Sequence, residues 1–147
     1  MALKRTSTAV WHGNVQKGNG TITTLSGAIK ETPYSVNTRF ASEDGKAGTN
    51  PEELIAAAHA SCFTMALSAQ ITTAGHEPTE LKTTATVMME KQDAGWAIIS
   101  IALDTQGKVP GITAEQFQTF AETAKKGCPI SKALASVPSI SLTAKLS

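Results

Sequence analysis

This 147-residue chain has only two cysteines, Cys62 and Cys128, and no Cys-x-x-Cys pair. A thioredoxin-like motif and a zinc knuckle are thereby set aside. Charge of one sign is also missing: 13 basic and 12 acidic residues, interspersed, leave a formal net charge of +1. No electrostatic footprint exists for a phosphate backbone or an anionic bilayer, so neither nucleic acid nor membrane is expected as a partner. Long apolar runs are lacking, since His59, Ser61 and Thr64 interrupt the best candidate, and the opening "MALKRTSTAVWHG" has no signal-peptide core. A soluble, cytoplasmic protein is the expectation. The glycines in "GNG" (Gly18–Gly20) and "GKAGT" (Gly45–Thr49) lack phosphate-loop or dinucleotide spacing. His12, His59 and His76 are scattered, and no serine stands in a nucleophile-elbow context, so no cofactor and no metal are expected.

Ordinary globular composition is what remains: 41% of the residues are hydrophobic, 17% charged and 5% aromatic. A length of 147 residues suits a single domain, 1–147, with a core that a partner subunit often completes. The β-branched runs "TSTAVW" and "TITTLSGAI", joined by a glycine-rich stretch, predict a hairpin. "KETPYSVNTRFASEDGKAGTN" reads as a short strand and a long loop. Asn50 as N-cap, Pro51 at the first helical position and the acids Glu52 and Glu53 then mark a helix start. This helix should run to about Thr73, stop at Gly75, and bury a stripe of Leu54, Ala58, Cys62, Met65 and Ala69. Two strands, "LKTTATVMME" and "WAIISIALD", follow as a second hairpin.

Thr113 and Gln116 form a capping-box pattern ahead of a helix with an apolar face of Phe117, Phe120, Ala121 and Ala124. It should end at Gly127, where Cys128 caps a short helical turn opened by Pro129. "SISLTAKLS" closes the chain as a half-buried strand. The order predicts an α+β fold with a largely antiparallel sheet. Small residues on the long helix suggest close approach of another helix.

Chemistry, if any, rests on the thiols. By local physics Cys128 is the more activated, because it opens a helical turn and follows Lys125 and Lys126. Cys62 is inside a helix, where packing alone accounts for it. Lowering its pKa from ~8.5 to ~6 requires ~3.4 kcal/mol of differential stabilisation, and the cation must come from elsewhere. Glu52 reads locally as a dipole-complementing acid and Arg39 as a solvated loop cation.

The segments "AVWHGNVQKGNGT", "YSVNTRF", "GTNPEELIAAAHASCFTMAL", "VPGI" and "KGCPISKAL" resemble, in order and over nearly the whole chain, the OsmC/Ohr family of organic-hydroperoxide reductases. "NTRF" and "WHGNVQKGNG" look like its OsmC branch. The resemblance implies antiparallel sheets wrapped around long central helices in an intertwined homodimer. It implies a thiol-dependent peroxidase of oxidative and osmotic stress defence, acting on organic hydroperoxides and more weakly on hydrogen peroxide. By motif, Cys62 in "HASCF" would attack the peroxide and Cys128 in "GCP" would resolve the sulfenic acid as a disulfide. Arg39 in "NTRF" would stabilise the Cys62 thiolate, and Glu52 in "NPEEL" would orient that arginine. This reverses the local ranking of the two thiols. A dithiol reductant, of which a lipoyl group is one kind, would restore both. Phe63, Met65 and Ile130 are expected around the site, favouring organic peroxides. The competing reading is a non-enzymatic stress-related binding module with both cysteines as packing.

Overall fold

A computed structural model describes residues 1–147. Two compact units divide the chain, Met1–Leu54 and Ile55–Ser147. In the first, β1 (Ser7–His12), β2 (Asn19–Thr24) and β3 (Thr32–Tyr34) form an antiparallel sheet in that order. The hairpin expected from the β-branched runs is β1–β2, and Asn14 closes its connection by accepting from the Gly18 and Lys17 amides. Gly20 faces Trp11 across the pair, and a Cβ there would run into the Val10 carbonyl and the Tyr34 ring. Close backbone approach therefore demands glycine at this position. Trp11 and Tyr34 pack with ring centroids 5.3 Å apart.

The polar segment after β3 is less loop-like than expected. Residues Val36–Phe40 form a short helix, α1, capped by a reciprocal Ser35–Thr38 capping box. The usual signature carries Glu or Gln at the fourth position, so a threonine there does not advertise the helix.

Helix α2 (Pro51–Thr73) matches its expected bounds. The Asn50 side chain accepts from the Glu53 amide at 2.8 Å, as an N-cap should. At the far end the His76 amide reaches Ile71 O and the Gly75 amide reaches Thr72 O, with Gly75 at φ +86°. That is a Schellman motif, and it requires the left-handed conformation glycine adopts without strain.

The second unit is built on a sheet of order β4–β5–β6, where β4 is Glu80–Gln92, β5 is Gly95–Lys108 and β6 is Ser139–Leu146. β4 and β5 pair antiparallel around a tight turn, with Gln92 opposite Gly95. β6 instead pairs parallel with β5. This departs from the antiparallel expectation at one pairing, and the reason is connectivity. The chain returns through α3 (Ala114–Gly127) and α4 (Pro129–Ala133), a crossover of the kind that parallel neighbours need. The Thr113–Gln116 capping box is present, and α3 ends at Gly127 as expected.

Phe63, Leu67 and Ile71 of α2 pack with Leu103, Val109, Phe117, Ala121, Ala124 and Cys128 in one buried cluster. Each large aliphatic or aromatic side chain so buried contributes roughly 1.5–3 kcal/mol. A Cβ at Gly107 would meet the Phe117 ring at 2.5 Å, so β5 is notched to seat that ring.

The expected buried stripe of α2 needs correction. The buried residues are His59, Phe63, Leu67 and Ile71, whereas Ala58, Met65 and Ala69 are exposed and Cys62 is half-buried at the boundary. The helix is apolar on nearly every side, so periodicity did not select a face; the bulky residues did. By length and composition α2 is also apolar enough to cross a membrane. The interruptions at His59, Ser61 and Thr64 are weaker than they look in the sequence. In the structure the helix lays its bulky face on the core of the second unit.

Candidate active site

Two features built by the fold gather the residues singled out in the sequence. In the first unit, α1 presents Arg39 and the first turn of α2 presents Glu52. The guanidinium grips the carboxylate at two points, Nη2 to Oε1 at 2.6 Å and Nε to Oε2 at 3.1 Å. This fork-on-fork geometry fixes the plane of the arginine as well as its position. Arg39 also lies over the Phe40 ring, 5.1 Å from its centroid, beside a hollow of about 350 Å³ lined by Trp11, Val15, Tyr34 and Val36. Glu52 is thus more than a dipole-complementing acid, and Arg39 is not a loosely solvated loop cation.

In the second unit the two thiols meet. Cys62 and Cys128 are both free, with their sulfurs 2.9 Å apart. Cys62 borders a shallow, mostly apolar depression with Ala58, Ser61, Met65, Pro129 and Ile130. Met65 and Ile130 are where the sequence placed them; Phe63 is not, being wholly buried in the core. A helix presents residues one position apart about 100° from each other, so the neighbour of Cys62 points away from it.

Cys128 is completely buried and caps α4, with its sulfur accepting from the Ser131 amide at 3.5 Å. Burial alone would push this thiol up. Hydrogen bonds from Cys62, from the Ser131 amide and side chain, and from the Ile130 amide outweigh it, and the net displacement is downward. Cys62 moves the other way: burial raises it first, the hydrogen bond and charge of Cys128 raise it further, and only the Ile130 amide opposes. Of the two ways to share the proton between the sulfurs, Cys62 S–H facing a Cys128 thiolate is therefore the favoured one. Within this unit the local ranking from the sequence holds, but the largest lowering contribution is the hydrogen bond from Cys62; the Ser131 and Ile130 amides of the helical turn only add to it, and Lys125 and Lys126 play no part.

Sequence reasoning missed two residues next to the thiols. His59 is wholly buried and its Nε2 lies 2.7 Å from Ser131 Oγ, while its Nδ1 has no partner. Burial lowers the His59 pKa. One signal was present in the sequence: a histidine at i−3 from Cys62, among alanines, in a helix too apolar to carry it without a buried partner.

The model of a family described as OsmC-like protein matches residues 43–143. The chain is 48% identical over 134 residues to peroxiredoxin OsmC of Escherichia coli, covering 91% of this chain and 92% of that protein. The crystal structure of the organic hydroperoxide resistance protein OhrB of Bacillus subtilis superposes with a TM-score of 0.71 at 25% identity, over 97% of this chain and 98% of that one. An OsmC-like protein from Mycoplasma pneumoniae shares the fold with a TM-score of 0.77 at 16% identity, over 99% of each chain.

Proposed function

Because the chain belongs to the OsmC family, we propose that it is a cysteine-based peroxidase that reduces organic hydroperoxides, and more weakly hydrogen peroxide, in oxidative and osmotic stress defence. The observation that carries this reading is the pair of free sulfurs 2.9 Å apart, one of them at the edge of an apolar depression. Relatives named peroxiredoxin and organic hydroperoxide resistance protein support the same class of activity.

The Cys62 thiolate attacks the terminal peroxide oxygen; the O–O bond breaks, an alcohol leaves after taking a proton, and Cys62 becomes a sulfenic acid. Cys128 then attacks the sulfenic sulfur, and water leaves as the disulfide forms. A dithiol, lipoyl or another, returns both thiols by exchange and leaves as its own disulfide. Arg39 is the cation that favours the Cys62 thiolate in this scheme, and Glu52 holds its guanidinium in orientation. The bidentate pair supports that division of roles. Cys62 needs such a cation, since its surroundings in the second unit push its pKa upward.

The chain works in this reading as one OsmC-like domain, 1–147, in a homodimer. The outward side of α2, with Ala58, Ser61, Met65 and Ala69 exposed, supports a second copy as what covers it. Two free thiols suit the reducing cytoplasm. The deciding experiment is a thiol count before and after an equivalent of an alkyl hydroperoxide. Loss of both thiols with release of the alcohol is expected; unchanged thiols would leave the cysteines as packing and support a binding module instead.

A further inference from the structure

His59 and Ser131 have no part in the scheme above, yet they are among the most deeply buried polar side chains of the second unit. The position of one hydrogen decides what they can do. His59 Nδ1 has no partner, and a buried N–H without an acceptor is rarer and costlier than a buried acceptor without a donor. The hydrogen therefore sits on Nε2, which donates to Ser131 Oγ at 2.7 Å. Having accepted there, the serine hydroxyl has its own hydrogen to give. Its backbone amide already points at Cys128 Sγ at 3.5 Å. That sulfur is an acceptor within the hydroxyl's reach, and a hydrogen bond from the serine side chain is one of the contributions that lower the Cys128 pKa.

We propose that His59 and Ser131 are positioning residues for the resolving step: His59 orients the Ser131 hydroxyl so that it donates to Cys128 Sγ and holds that sulfur as a thiolate aimed at Cys62. This rests on the peroxidase reading only for its consequence, not for its geometry. In the resolving step the Cys128 thiolate displaces hydroxide from the Cys62 sulfenic acid. The S–S bond forms as the S–O bond breaks, Cys128 is oxidised as the sulfenic sulfur is reduced, and the hydroxide takes a proton to leave as water. A thiolate is the reacting form, so each tenfold gain in its fraction is a tenfold gain in rate until ionisation is complete.

The ionisable groups around Cys128 are few. From α2 they are Cys62, in direct contact, and His59 behind the serine. Lys125 and Lys126 of α3 and Lys132 of α4 precede and follow it in sequence without hydrogen-bonding to either sulfur, and Phe117 and Leu103 of α3 and β5 are apolar parts of the cluster around it. Ser131 is thus the side chain through which a distant group can act on the buried sulfur.

The test is a thiolate absorbance titration of the full chain carrying Cys62→Ser, which leaves Cys128 as its one thiol and keeps a hydroxyl donor beside it. Adding Ser131→Ala should raise the Cys128 pKa by about one unit, a tenfold loss of thiolate below the transition. Ser131→Thr, which keeps the hydroxyl, should restore it. His59→Leu should raise it as Ser131→Ala does, and His59→Gln, with an amide donor near the Nε2 position, should return it toward the parent. In the two-cysteine protein, Ser131→Ala should slow disulfide formation about tenfold at neutral pH, with recovery above the raised pKa. A Cys128 pKa unmoved by Ser131→Ala overturns the proposal, and equal values for His59→Gln and His59→Leu remove His59 from it. No peroxide enters the titration, so its outcome is separate from that of the thiol count.

Discussion

Cys62 and Cys128 touch, yet their surroundings push their acidities in opposite directions. Cys128 is buried at a helical N-terminus, where amides and a serine supply donors to an anion. Cys62 is half-buried inside α2, beside an open apolar depression, and its thiol is pushed up. The better-stabilised sulfur is the inaccessible one, and the accessible sulfur lacks stabilisation within its own unit. Acidity and access are separate requirements for a nucleophile, and this fold divides them between two residues. In the proposed scheme a peroxide meets Cys62 first, so that scheme needs an activating charge beyond the surroundings that raise the Cys62 pKa. Cys128 needs no such help, because its partner is always within reach.

The sharpest way to break this comparison is to remove each thiol in turn. Cys62→Ser should abolish peroxide turnover, by at least about a hundredfold, since the remaining thiol, Cys128, is buried out of a peroxide's reach. Cys128→Ser should still consume one peroxide per site and stop there, leaving a sulfenic acid that a dimedone-type reagent traps and intact-mass spectrometry reports. If Cys62→Ser retained the parental rate, the roles of the two sulfurs would have to be exchanged, as local acidity alone suggests.

Next in size is the cation. In the Cys128→Ser background, Arg39→Ala should raise the Cys62 pKa by about one to two units and slow peroxide attack at neutral pH at least several-fold. Glu52→Gln should do the same more weakly, because it loosens the guanidinium without removing its charge. An unchanged titration after Arg39→Ala would take Arg39 out of the site and leave Cys62 to be activated by other means.

How much of this asymmetry was readable beforehand follows from which parts of it are local. The cap at Asn50, the Schellman stop at Gly75 and the Thr113–Gln116 box involve residues a few positions apart, and each is where the sequence placed it. The share of Cys128's acidity that comes from the α4 amides was legible for the same reason, whereas the larger share, from Cys62, was not. α1 was not, because its capping partner is Thr38 and not a longer acid or amide. The buried face of α2 was misread, because alanine at every turn gives no contrast until Phe63, Leu67 and Ile71 meet α3 and the sheet. The His59–Ser131 bond spans 72 positions and two helices, beyond the reach of any spacing rule. Resemblance supplied Cys62, Arg39 and Glu52 as a set, whereas local chemistry explained each of them away singly.

A smaller effect concerns the coupling of the two sulfurs. At 2.9 Å they cannot both carry a full negative charge without strong repulsion, so the reduced protein should lose its thiol protons in two macroscopic steps. The steps should be separated by more than about one pH unit, the first belonging mostly to Cys128. Each single-cysteine variant should show one step. A single shared transition in the parent would mean that the sulfurs do not sense each other, and the asymmetry would then lie in their separate surroundings alone.

The smallest expected effect probes the same asymmetry from behind Cys128. Burial holds His59 neutral by lowering its pKa below the ordinary value of 6.5. In the unfolded chain the imidazole binds a proton once the pH falls through about 6.5, whereas in the folded protein it resists until the lower pKa is reached. Over that interval the unfolded state holds more protons, so stability rises with pH there and falls as the solution is acidified. Above the unfolded pKa the contribution is complete and constant. The melting temperature should therefore drop as the pH falls below about 6.5, and His59→Gln, which cannot titrate, should flatten part of that slope while keeping a donor toward Ser131. Slopes that match in the two proteins would mean that His59 ionises as freely folded as unfolded. Below about pH 6.5 both ring nitrogens would then carry a hydrogen, and the neutral tautomer that leaves the serine free to serve Cys128 would hold only above that pH.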